Sequence, residues 1–154
     1  MIEVIPDIQI FGVYDRGAPN TERIVLRVNR PMNLASYFLI LGFRGPMGVN
    51  VVIPIPDSSL WLGATSINVP SWIFVFTGNG KTSISQEVHS KDPVHCLYWN
   101  RPNVVLTHDD IVPALIHVDS IEIGNKPNKT LADVTNQQNS DINSDLMRLF
   151  NTHG

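Results

Sequence analysis

Between Arg23 and Val28 the chain reads RIVLRV, with Ile24, Leu26 and Val28 on one face and Arg23, Val25 and Arg27 on the other. A period of two is the pattern of a half-buried antiparallel strand, not of a helix. The same signature, punctuated by Gly, Pro, Asn and Asp, runs through residues 1–124. A chain patterned in this way has to build sheets.

Leu34–Phe43 is apolar on both faces, with Tyr37, Leu39 and Leu41 alternating against Phe38 and Ile40, so a central strand covered on both faces is expected. Within Val49–Pro56, Pro54 and Pro56 share one parity and remove N–H donors from the same flank, which predicts an edge strand. Trp61-Leu62, Val94–Trp99, Val104–Thr107 and Ala114–Val118 with Ile121 and Ile123 read as further short strands, with a parity break near Asp119-Ser120. In Ala114–Val118 the expected buried face carries Ala114, Ile116 and Val118, which leaves His117 on the solvent face. The fold class expected is all-β: an antiparallel β-sandwich (jelly-roll-like or Ig-like) or a barrel of about nine to ten short strands. It is followed by an irregular polar C-terminal tail ending in a short helix.

Phe74–Ser85, FVFTGNGKTSIS, contains a Gly-Lys-Thr that resembles the end of a phosphate-binding loop. Such a loop needs a glycine five positions earlier and a helix after it. Val75 stands at that position, and Thr82, Ile84, Gln86 and Val88 continue with period two. Asn79-Gly80 suits a type I′ turn instead, so Trp72–Thr77 and Thr82–Val88 are expected to form a hairpin.

The 154 residues suit one β domain over residues 1–124 and a polar extension over 125–154. In that extension Ile142, Leu146, Leu149 and Phe150 fall on one stripe of a helix capped by Ser140 or Asp141. Net charge is −3, which offers no global positive field for nucleic acid. Arg16, Arg23, Arg27, Arg30 and Arg44 cluster in the first third, but Glu3, Asp7, Asp15 and Glu22 nearly balance them, and a salt-bridged strand face is expected. No basic and apolar leader opens the sequence, and its apolar runs fall far short of the ~20 residues of a membrane span, so an intracellular protein without membrane contact is expected.

Few residues suggest chemistry. Cys96 is the single cysteine and follows His95, but neighbours on a strand face opposite ways, so no thiolate–imidazole pair forms and Cys96 reads as a small core residue. His117 and Asp119, with His108, Asp109 or Asp110, are the only arrangement approaching a metal site, and two correctly spaced ligands fall short of the three or four that zinc requires. Asp109-Asp110 look like turn residues before a strand, and no Gly-x-Ser-x-Gly elbow occurs. Asn128-Lys129-Thr130 matches a glycosylation acceptor, which matters only in a secreted chain. No catalytic, cofactor-binding or metal residues are assigned, and no cofactor is expected.

Apolar surface remains. Trp72, Phe74 and Phe76 share a face with Ser83, Ser85 and Glu87, a mixed aromatic surface of the kind interfaces favour. With Ile142, Leu146, Leu149 and Phe150 they are the candidate contact residues for protein partners. The expected function is non-enzymatic: a structural or assembly protein that forms a homo-oligomer or docks on a particle, for example as a virion component, with its tail anchored to a neighbour. The first alternative is a small-ligand or carbohydrate-binding module using Trp61, Trp72, Tyr98 and Trp99. The second is a metal-dependent enzyme at His117 and Asp119.

Overall fold

In a computed structural model, residues 7–46 and 51–124 are described. The chain divides into two compact units, Met1–Asp119 and Ser120–Gly154. In the second, residues 120–124 alone are described and form no regular element.

The first unit contains ten described strands: β1 (Ile8–Tyr14), β2 (Arg23–Val28), β3 (Met32–Asn33), β4 (Tyr37–Arg44), β5 (Val52–Trp61), β6 (Ser66–Ile67), β7 (Ser71–Phe76), β8 (Ser83–Gln86), β9 (Pro93–Tyr98) and β10 (Ile111–His117). They form a five-stranded sheet in the order β1-β2-β7-β9-β8, a three-stranded sheet β10-β4-β5 and a two-stranded ribbon β3-β6. None of these described sheets closes into a barrel. Among the described residues no helix is long and apolar enough to cross a membrane.

The alternation in β2 does what its period requires. Ile24, Leu26 and Val28 enter the core, joined by Ile8, Ile73 and Val75 of the same sheet. Tyr37, Leu39, Leu41 and Ile111 of the three-stranded sheet enter the same core, with Leu34, Leu62, Ile67 and Leu106 filling it from the ribbon and the connections. Full burial of a side chain such as Leu39 or Ile73 contributes ~1.5–3 kcal/mol.

Several sequence expectations need correction. The hairpin between β7 and β8 does not form: β9 lies between them, parallel to β7 and antiparallel to β8. The apolar β9 sets Val94, Cys96 and Tyr98 beside Trp72, Phe74 and Phe76, whereas Ser-Ile-Ser-Gln of β8 would leave polar side chains at the sheet centre, so β8 is displaced to the edge. The loop after β7 is then held by the segment after β9, through Asn100 N–H to Gly78 O (3.0 Å) and Arg101 N–H to Thr77 O (2.8 Å). Gly80 has no positive φ. It is required for space, because a Cβ there would collide with the Tyr98 ring.

β4 is central in its sheet, but its second face is only half covered and Phe43 is exposed. Leu34–Ser36 forms a 3-10 turn and not the start of that strand, because the Asn33 side chain accepts from Ala35 N–H and caps it. β5 is an edge strand, as Pro54 and Pro56 require, but it runs on to Trp61 through an irregularity at which Asp57 adopts φ 59°. Val104–Thr107 is not a strand. Ile121 and Ile123 extend no strand either, since β10 ends at His117.

Candidate functional site

The outer face of the five-stranded sheet, opposite the core, is where chemistry-bearing side chains gather. Register sets them in rows across the strands. Arg27, Trp72, Val94 and Ser85 form one row; Val25, Phe74, Cys96 and Ser83 the next; Arg23, Phe76 and Tyr98 the third. The odd-numbered parity of β2 and the even-numbered parity of β7 and β9 converge on one surface.

Aromatic stacking and guanidinium packing order this surface. Phe76 stacks on Tyr98 with centroids 5.1 Å apart, and Phe11 meets Trp72 edge-on at 5.0 Å. Arg23 lies 5.5 Å from the centroids of both Tyr14 and Phe74 and 5.8 Å from that of Phe76, while Arg27 lies 4.7 Å from the centroid of Trp72. Each such contact is worth ~0.5–2 kcal/mol, more as water is excluded. Both arginines are also ion-paired, Arg23 with Asp15 at 2.9 Å and Arg27 with Asp92 at 2.8 Å. Arg16 and Arg30, which lie outside the strands, reach Asp109 and Asp7. Among the described carboxylates expected to balance the early arginines, Asp7 and Asp15 do so, while Asp92 and Asp109 come from later turns and Glu22 takes no arginine. Trp72, Phe74 and Phe76 are half-buried by these neighbours and not by the core. Phe11 is 60% exposed beside them. Phe11, Tyr14, Arg23, Val25, Trp72, Phe74 and Glu87 line a shallow groove of ≈ 360 Å³.

Glu87 sits in the turn between β8 and β9, where its carboxylate accepts from His89 N–H and Ser90 N–H. Those two backbone donors, Ser90 first, hold its carboxyl down to about 2, so it carries a full negative charge near neutral pH.

Sequence reasoning missed Glu22. Its side chain is buried, and its carboxylate accepts from Thr77 Oγ1 at 2.5 Å, Val105 N–H at 2.8 Å, Gly17 N–H at 3.1 Å and Leu106 N–H at 3.3 Å. It fastens the irregular segment containing Val104–Thr107 to the sheet. The signal was present in the parity, since Glu22 continues the buried phase of Ile24, Leu26 and Val28.

The other candidates do not converge. Cys96 is half-buried on the outer face and not in the core, a correction that follows from its row with Val25 and Phe74. His117 belongs to the parity of Ile111 and Leu115, which pack on the core, and stacks on Tyr37 at 4.7 Å. Ile116 takes the outward parity, the reverse of the expected strand faces, yet His117 at the strand end is exposed to solvent as expected. His117 Nδ1 lies 3.7 Å from Asp119, and His108 Nδ1 lies 3.8 Å from Asp110. Among the described residues no group of three or more His, Cys, Asp or Glu side chains could hold a metal ion. Trp61 Nε1–H donates to Ala35 O and Trp99 packs against the core, so neither joins the outer face. Ile142, Leu146, Leu149 and Phe150 lie outside the described residues.

Burial lowers the pKa of His95 from its ordinary 6.5. The unfolded chain therefore binds this proton more readily than the folded one, and the stability associated with neutral His95 is present above pH ~6.5 and lost as pH falls toward the lower folded value. Urea midpoints measured between pH 8 and pH 5 should fall on acidification, and His95→Leu should flatten part of that slope. An unchanged slope in the variant would assign the pH response to other groups. Compared with protein-family models, curated proteins and solved structures, the chain matches none.

Proposed function

We propose that this chain is a non-enzymatic assembly protein, a two-layer β-sandwich that self-associates or docks on a larger particle through the outer face of its five-stranded sheet. The C-terminal segment 125–154 anchors to a neighbour. A viral or phage structural component is the concrete form of this reading. The observation that carries it is the half-exposed row of Trp72, Phe74 and Phe76 with Arg23 and Arg27 on the side away from the core. Aromatic and arginine side chains are enriched among the residues that dominate interface energies, the aromatics because they bury large area with few rotors to freeze and arginine because its planar guanidinium both stacks and donates several hydrogen bonds.

The groove beside Trp72 and Phe74 favours one rival, a saccharide or other small ring stacked on the aromatics. Light scattering after size exclusion separates the two. Wild-type protein should assemble, and Trp72→Ser with Phe74→Ser should weaken assembly by at least about tenfold in Kd while leaving β circular dichroism unchanged. A chain ending at residue 124 should also fold and assemble more weakly. Monomers at every concentration, with Trp72 fluorescence quenched by a saccharide, would establish the rival.

A further inference from the structure

β8 ends the five-stranded sheet, and all four of its residues are exposed. The other ends of the two large sheets are guarded against pairing: β5 carries Pro54 and Pro56, β10 carries Pro113, and β1 is interrupted by an irregularity between Ile10 and Gly12. β8 has neither proline nor bulge, and among the described residues it pairs with β9 alone.

Its hydrogen-bonding groups have a defined direction. Glu87 N–H donates inward to Asp92 O at 2.9 Å. By alternation Ser85 and Ser83 also turn inward to β9, while Ile84 and Gln86 turn N–H and C=O outward. Gln86 opposes Pro93, which has no N–H to return, in keeping with that phase.

The sequence around this open edge is complementary to itself. If the strand is reversed about Ile84, Ile84 opposes Ile84, Ser83 opposes Ser85, Thr82 opposes Gln86, and Lys81 opposes Glu87. Two apolar side chains meet at the axis, hydroxyls meet hydroxyls, and each end brings a cation to an anion. Ile84, 68% exposed, gains cover that the single chain does not provide.

We propose that β8 pairs antiparallel with β8 of a second copy of this chain about a two-fold axis at Ile84, joining two five-stranded sheets into one. The outward N–H and C=O of Ile84 then bond reciprocally with those of Ile84 in the second copy, an isologous contact. Lys81 and Glu87 form two symmetric ion pairs, and Glu87 is ionised for the reason given above. The ladder is short, so the dimer belongs to the small and concentration-dependent class. The inference rests on the self-association reading and adds to its aromatic face a second contact, at the sheet edge, with a second copy of the chain as partner and a defined register.

The test is sedimentation velocity over about 1 µM to about 1 mM, with wild type, Ile84→Pro and Lys81→Glu. Ile84→Pro removes an outward donor at an edge position where proline is tolerated, so it should stay folded and lose the β8 contact, keeping only the association that the aromatic face supplies. Lys81→Glu changes an exposed residue before the strand, replaces two attractions by two repulsions and should raise the dimer Kd about tenfold. In a Cys96→Ser chain, Ile84→Cys should form a disulfide-linked dimer on mild oxidation, because opposed residues of such a pair lie ~5.5 Å apart at Cα. Should Ile84→Pro fail to fold, Lys81→Glu and the cross-link decide. A wild-type oligomer unaffected by both substitutions would overturn the β8 pairing and leave self-association through the aromatic face standing. A wild type monomeric throughout would overturn both.

Discussion

Glu22→Ala is expected to lower the unfolding free energy by about 4 kcal/mol, because it leaves one hydroxyl and three backbone N–H groups without their acceptor, the Thr77 and Leu106 donors in a buried site and those of Gly17 and Val105 nearer solvent. Each buried donor left unpaired costs ~1–3 kcal/mol, and water entering the vacated volume recovers part of the sum. Glu22→Gln keeps one oxygen but turns an NH2 toward donors, so about 2 kcal/mol is expected. Urea denaturation with an unchanged m value would measure both. The effect should be largest on the segment around Leu106, which is fully buried yet belongs to no strand. Combining Glu22→Ala with Leu106→Ala should cost less than the two changes added, since each loosens what the other holds. A loss below ~1 kcal/mol for Glu22→Ala would mean that solvent replaces the carboxylate freely and that the latch has no energetic role.

Gly42→Ala is expected to cost about 3 kcal/mol. β4 and β5 approach so closely at this point that an added Cβ would strike the Val52 side chain and lie 2.5 Å from Ile53 O and 2.9 Å from its carbonyl carbon. Two of the three atoms are backbone and cannot swing aside, so β5 has to move as a strand. Gly42 opposes Pro54 just where the register resumes after the irregularity. Thermal unfolding and native-state hydrogen exchange should agree, with exchange rising first along the β4–β5 ladder. An alanine variant as stable as wild type would show that the edge strand relaxes at no cost.

The sequence carried the period of the strands well and their partners poorly. β2, β4, β9 and β10 were legible because alternation is a local property, visible within a handful of residues. The edge position of β5 was legible because a missing N–H forbids pairing wherever the strand lies. Partner choice is decided between segments far apart, and Asn79-Gly80 misled for that reason. A strong local turn signal lost to the better burial of β9 against β7. The faces of β10 were inverted because Ile116 and Leu115 are equally apolar, and only the partners of β4 settle which one turns inward. The aromatic row was placed on the correct strand face from parity alone, while its lack of cover by the core and the two guanidinium groups packed on it required the fold. Glu22 was hidden by its charge, since carboxylates are seldom buried.

The parallel pairing of β7 with β9 also constrains the order in which the chain can assemble. β8 and β9 are neighbours in sequence and can close locally, on the microsecond scale of a hairpin. β7 has to keep one flank open until that hairpin arrives, because β8, which reaches it first along the chain, is not its partner. Where the β8–β9 hairpin closes first, it docks as a unit onto an unsatisfied strand, a closure whose loop entropy is lost before its contacts form. During that interval the flank of β7 is equally open to the hairpin of another molecule, and a crowded nascent chain would meet the same choice between its own hairpin and its neighbour's.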